Sequence, residues 1–167
     1  MVQNGEKRMK PKILISYFYQ IRFFKPYMIP ISTCFSDPKY FHQSKGKNFQ
    51  FQDKNKVWNG IRAECFMPGE ECEGLCHGPQ GCAAQPDSCS FLQTYYNQLK
   101  KLDFNSILER FSKLGENVKA ASEFEEEPIF VLIVYETPTN PCSERVMLKK
   151  WFSDNGYELQ EYNKEDY

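Results

Sequence analysis

Four cysteines fall within 18 residues in the run Cys72-Glu-Gly-Leu-Cys76-His-Gly-Pro-Gln-Gly-Cys82-Ala-Ala-Gln-Pro-Asp-Ser-Cys89. Thiolates are soft ligands, and four of them complete the tetrahedral shell of a zinc ion or hold the corners of a 4Fe-4S iron-sulfur cluster. Structural zinc usually takes paired C-x2-C knuckles, whereas the intervals here are three, five and six residues. The single compact run therefore leans slightly toward the cluster and leaves zinc open. Cys65 and His77 are further candidate ligands. Four cysteine ligands leave no open coordination position, so either metal is expected to order the loop rather than react, its binding free energy acting as folding free energy.

A second constellation is Glu136-Thr-Pro-Thr-Asn-Pro-Cys142-Ser-Glu-Arg145, placed where an apolar strand should give way to a helix. The carboxyl ends of strands are where α/β sheets bind ligands. Glu136 would stand at the strand end, Cys142 in the first helical turn, where free N–H groups lower a thiol pKa, and Arg145 one turn on as an anion partner. Glu144 complicates that field. These three are the catalytic candidates; the structural alternative is a small buried cysteine with a surface Arg–Glu pair. His42 and His77 are the only histidines, so no Ser-His-Asp triad can be assembled, and neither a P-loop nor G-x-G-x-x-G is present. Asp37, Asp53 and His42 could gather near strand ends, although Asp37-Pro38 reads better as a turn.

These groups need elements to hold them. Lys12 to Gln20 reads as a first strand and Met28 to Phe35 as a second, broken by Pro30. Tyr40 to Asn59 reads mostly as loop, with Asn59-Gly60 as a turn and Trp58 to Arg62 packing the cysteine loop onto the body. Residues 60–89 hold five glycines and three prolines, too many breakers for regular structure. Ser90 to Leu102 and Phe104 to Leu114 carry apolar residues three and four apart, so both are predicted helices, the second capped by Asp103 or Asn105 and stopped by Gly115. Pro128 to Tyr135 is a continuous apolar run suited to a strand covered on both faces. Asn140-Pro141 should open a helix over Cys142 to Asp154, ended by Asn155-Gly156. A short strand over Tyr157 to Tyr162 and a fraying tail complete the chain.

The chain has 167 residues, 41% of them hydrophobic and 26% charged, with a net charge of -1. That composition fits one domain over 1–167, with 60–89 as an inserted cysteine-rich metal loop. It excludes collagen-like, coiled-coil and wholly disordered chains. Residues 1–56 carry 11 basic against 3 acidic residues and 11 of the aromatics, including Tyr17, Phe18, Tyr19, Phe23, Phe24 and Tyr27. Basic and aromatic together describe either a nucleic-acid surface or core strands with a solvated rim, and both stay open. Gln20, Arg22 and Lys25 interrupt the early apolar run, and no stretch approaches the about 20 apolar residues of a membrane span. A cytoplasmic chain with no membrane partner is expected, where thiols serve metals rather than disulfides.

Val131-Leu-Ile-Val-Tyr-Glu136, the Pro141-Cys142 turn, Arg145 and the helix after it resemble the C-terminal signature of the domain-of-unknown-function 488 family. Met28 to Phe41 is similar to that family's early strand and polar turn. The resemblance implies a small three-layer α/β sandwich with a mostly parallel sheet, of bacterial or phage origin, whose cysteine and arginine turn faces a small ligand or nucleic acid. The family usually reads Cys-His-Arg where this chain has Cys142-Ser143-Glu144-Arg145, so no histidine carries over; only Glu136, Cys142 and Arg145 transfer. With Cys65 counted, the intervals of six, three and five are also similar to the loop of iron-sulfur DNA glycosylases. The function expected is binding of nucleic acid or a nucleotide-type ligand. The alternatives are an enzyme acting on a nucleotide or nucleobase through Cys142, or a phage module binding a host protein.

Overall fold

The computed structural model describes residues 10–43, 51–52, 57–75 and 86–167. Among them, β1 (Lys12–Tyr17), β2 (Met28–Ser32), β3 (Phe41–Gln43), β4 (Phe51–Gln52) and β5 (Val57–Arg62) precede α1 (Ser90–Lys100) and α2 (Phe104–Ala121). β6 (Ile129–Val134), α3 (Glu144–Asp154) and β7 (Gln160–Glu161) follow. The strands lie in the order β3-β5-β2-β6-β1-β7, all parallel, with β4 added antiparallel to β5. The expected α/β fold with a mostly parallel sheet is thus present.

β6 is the spine of the sheet. All six of its residues are buried, because it pairs with β1 over Lys12–Tyr17 on one side and with β2 over Met28–Ser32 on the other, and both its faces are covered. Alternation sorts its side chains: Phe130, Leu132 and Val134 point with Ile13, Ile15, Ile29 and Ile31 to one core, Ile129, Val131 and Ile133 with Leu14 and Met28 to the other. Among the described residues all three α-helices cover the first face. Leu92, Tyr95 and Leu99 of α1, Ile107 and Phe111 of α2, and Met147, Leu148, Trp151 and Phe152 of α3 meet there. Each fully buried large apolar side chain of this kind contributes about 1.5–3 kcal/mol. Phe66 sits among Phe111, Trp151 and Phe152 with centroids 6.0–6.4 Å away, and the buried Tyr95 hydroxyl donates to the Phe66 carbonyl at 2.5 Å.

The opposite face has 3-10 turns and aromatic rings where a doubly wound sheet would have helices, so the third layer is thin. Here the strand expected to reach Gln20 ends at Tyr17, and Phe18–Phe23 form a 3-10 helix. Its period of three explains this, since Phe18 and Ile21 are buried and Phe24 partly so, one face of a three-residue turn. The C-terminal tail does not fray: Tyr167 stacks on Tyr162 at 6.0 Å, with the Lys12 ammonium 5.0 Å above its ring.

Other boundaries also moved. Asn59-Gly60 is not a turn but part of β5, and the glycine has a packing reason: a Cβ on Gly60 would lie 2.6 Å from the Pro30 carbonyl oxygen and against the Phe41 ring. β3 and β4 lie in the stretch expected to be loop. α2 runs through Gly115 to Ala121 because Val118, the next apolar residue on the same face, is buried. Asp103 caps it as expected, its carboxylate accepting from the Ser106 N–H at 3.0 Å. Among the described residues no helix is long and apolar enough to cross a membrane.

Candidate functional site

The chain leaves β2 toward β5 and β3 at one edge of the sheet and leaves β6 through α3 toward β7 at the other. The two strands are neighbours, and their connections also part across the sheet: Phe41 beyond β2 packs on the thin face, Met147 and Leu148 of α3 on the helical one. The diverging connections make the carboxyl ends of β2 and β6 a switch point, where open α/β sheets place a ligand crevice.

The β2 side of the crevice is Ser32-Thr33-Cys34-Phe35-Ser36-Asp37. Thr33 ties the chain back to β6, its N–H and hydroxyl both donating to the Ile133 carbonyl at 3.1 and 3.0 Å. The buried Ser32 hydroxyl donates to Asp37, whose other oxygen is 3.3 Å from Arg62 Nε. Arg62 Nη2 in turn donates to the Phe35 carbonyl at 3.0 Å. Asp37 therefore works within a turn, as the Asp37-Pro38 pair suggested, but as a bridge between the ends of β2 and β5. Asp53 lies outside the described residues, as does the side chain of His42.

On the β6 side, Tyr135 donates its hydroxyl to the Ser36 carbonyl at 2.5 Å, tying the two loops together. Glu136 accepts from the Ser143 hydroxyl at 2.9 Å, and its carbonyl accepts from Arg145 Nη1 at 2.7 Å. The structure thus brings Arg145 against the Glu136 backbone. Arg145, however, is buried and faces the sheet: its Nε is 2.6 Å from a Glu161 carboxylate oxygen on β7, an ion pair by distance although the N–H does not aim at that oxygen. Burial lowers its pKa, opposed by Glu161 and Glu136. Arg145 braces β6 against β7 rather than presenting charge to solvent.

Cys142 stands differently from its expected place. α3 begins at Glu144 with Ser143 as N-cap, the serine hydroxyl accepting from the Arg145 N–H at 3.2 Å. Asn140 does not cap the helix but accepts from the Cys142 N–H at 2.9 Å within the preceding turn. Cys142 is half-buried and outside the helix, so the argument that a helical first turn activates its thiol does not hold.

The groups gathered in the crevice are instead Cys34, Glu136, Glu144 and Asp37. Burial, followed by the charges of Glu144, Glu136 and Asp37, pushes the Cys34 thiol well above its usual range, so it is a neutral SH. Burial and then the neighbouring Glu136 charge push Glu144 up to about 7, against a backbone N–H that favours its ionised form. Such a carboxyl exchanges a proton near neutrality. Sequence reasoning missed Cys34 and treated Glu144 only as a complication; the available signal was a Ser-Thr-Cys run directly after an apolar strand.

The loops after β2 and β6 carry exposed aromatic rings. Phe35, Tyr40 and Tyr135 are 64%, 42% and 47% exposed, and buried Phe18 supports the two tyrosines with centroids 6.3 and 5.0 Å away. The basic aromatic third of the sequence thus divides: Phe18, Ile21 and Met28 are core, while Tyr19 and Phe23 are exposed beneath the Arg22 and Lys164 cations.

Cys72 and Cys89 are both buried in the helix-side core. Cys72 lies 4.0 Å from Gln98 Oε1, and that same amide receives the Gly69 N–H and donates to the Met67 carbonyl, fastening the segment before the cysteine run onto α1. Cys76, Cys82 and His77 lie outside the described residues. Among the described residues no three His, Cys, Asp or Glu side chains are grouped to hold a metal, and none of the five described cysteines is in a disulfide. No protein family, curated protein or solved structure matches the chain.

Proposed function

We propose that the crevice between the ends of β2 and β6 binds a nucleotide-type ligand, free or as part of a single strand, with its base against the rim. The observation that carries this is that the loops after β2 and β6 carry three exposed rings, Phe35, Tyr40 and Tyr135, in the same loops as the hydrogen-bonded carboxylates of Asp37 and Glu136. A base offers a flat face to the rings and amino hydrogens to Glu136 and Glu144, while Lys39 in the loop after β2 suits phosphate. The test is calorimetric titration with the four nucleoside monophosphates and short oligonucleotides across a salt series. Tyr135→Ala or Phe35→Ala should weaken binding about tenfold, the scale of one lost base stack. Salt-independent affinity, or full affinity in both variants, would sink the proposal.

A second reading makes the crevice catalytic, and the position of Glu144 near neutrality favours it. Glu144, rather than Cys142, would then move the proton during attack on a nucleobase. Turnover of a nucleobase panel that survives in Glu144→Gln unchanged excludes it. In the same picture Cys72, Cys76, Cys82 and Cys89 bind zinc or an iron-sulfur cluster that orders the segment beside α1, supported by the burial of Cys72 and Cys89 in one core.

A further inference from the structure

A cavity opens on the helical face, between the ends of β2 and β5, the 3-10 turn over Glu64–Phe66 and the middle of α2. Its volume is about 500 Å³, inside the range of small-molecule sites, roughly 300–1,000 Å³. Ile31, Ile61, Phe66, Phe111 and Leu114 make the walls, and the half-buried Cys65 thiol lies among them. The charges around it are lopsided. Arg62, Arg110 and Lys113 border the cavity, and Glu64 is the one carboxylate among the described residues that do. Arg62 is held by Asp37, but Arg110 and Lys113 have no ion-pair partner among the described residues. They are exposed and three residues apart on α2, so both lie on one side of the helix. This imbalance sits in the acidic part of the chain, where residues 93–167 carry 9 basic against 14 acidic residues.

We propose that this cavity binds an amphipathic monoanion, a carboxylic acid with an aliphatic or aryl tail, the tail among Ile31, Ile61 and Leu114 and the carboxylate at Arg110 and Lys113. An apolar slot alone would take any hydrophobic molecule. Two unengaged cations at its mouth select the anionic one, because a carboxylate meeting guanidinium and ammonium gains charge-assisted hydrogen bonds that an alcohol does not. The proposal is independent of the β2–β6 crevice, from which it shares only Arg62.

The probe is decanoate, titrated calorimetrically into the full chain, with decanol as a neutral control of the same length. Decanoate should bind one to one and decanol about tenfold more weakly, the scale of a lost hydrogen bond to a charged group. The double variant Arg110→Glu, Lys113→Glu changes exposed positions only, so it should keep the wild-type circular dichroism while losing at least about tenfold in decanoate affinity. Saturating decanoate should also slow alkylation of Cys65 by N-ethylmaleimide, read by peptide mapping. Equal binding of decanol, undiminished affinity in the double variant, or an unchanged rate at Cys65 would each overturn the proposal. Glu144→Gln should leave decanoate binding untouched, which separates this result from failure of the crevice.

Discussion

Glu144→Gln removes a single ionisation from the crevice, and its effect on stability should depend on pH in a determined direction. In the folded chain Glu144 titrates near 7 against an ordinary value of 4.5, because burial and then Glu136 disfavour its charge. Between those two values the folded state holds a proton that the unfolded state has released. Stability therefore falls as pH rises through this window and reaches its lower plateau above about 7. A displacement of that size corresponds to on the order of 3 kcal/mol. Glutamine resembles the protonated acid and cannot ionise, so the variant should match wild type near pH 4.5 and exceed it by on the order of 3 kcal/mol at pH 8. Urea denaturation of both proteins at unit steps of pH measures the difference, and titrating groups that do not interact with Glu144 cancel in the comparison. Parallel stability curves would refute the claim that Glu144 is held near neutrality, and with it the proton-transfer reading of the crevice.

Affinity for a nucleobase that donates amino hydrogens should rise as pH passes about 7, where Glu144 becomes an acceptor only; calorimetry at pH 6 and 8 checks this, and a decline would reverse the assigned role. Arg145→Met should cost about 1–3 kcal/mol by urea denaturation, since it frees the Glu136 carbonyl and leaves Glu161 to Lys149 alone; a loss below about 0.5 kcal/mol would show that the brace between β6 and β7 is dispensable. Gly60→Ala should destabilise by at least about 1–3 kcal/mol, because the new methyl meets the Pro30 carbonyl oxygen at 2.6 Å and cannot displace backbone cheaply; a neutral thermal shift would contradict the close approach of β5 to β2. Protein purified without oxygen should carry zinc or iron, lost when Cys72, Cys76, Cys82 and Cys89 become serine, and metal-free wild type with full stability would remove the staple.

Local chemistry made several features readable in advance. The β6 run is apolar without interruption because both its faces are covered, and that is visible as composition. Asp103 before an apolar-periodic segment signals an N-cap, and Asn155-Gly156 signals a stop, met here by a left-handed Gly156 at φ 78°. Where local signals misled, a distant contact had decided. Gly60 read as a turn because the strand it joins, with Phe41 and Pro30 pressed against it, is invisible in sequence. Gly115 read as a helix end because Val118 needed a core on the far side to make about two more turns of helix worth ordering.

The same division runs through the site. From the sequence alone, Glu136 could be placed at a strand end and Arg145 one turn into the following segment, since both follow from periodicity and from Pro and Asn punctuation. The sequence also determined the four-thiol run and the ligand set it offers. Only the tertiary structure decided which groups share space: β2 and β6, about a hundred residues apart in the chain and adjacent in the sheet, bring Ser32, Cys34 and Asp37 opposite Glu136 and Glu144. Burial there neutralises the Cys34 thiol and raises Glu144, whereas Cys142, the thiol that motif spacing favoured, falls outside the helix. Spacing along a chain reports which residues one element carries, but pKa depends on desolvation and on charges from other elements, and those exist only once the sheet has assembled.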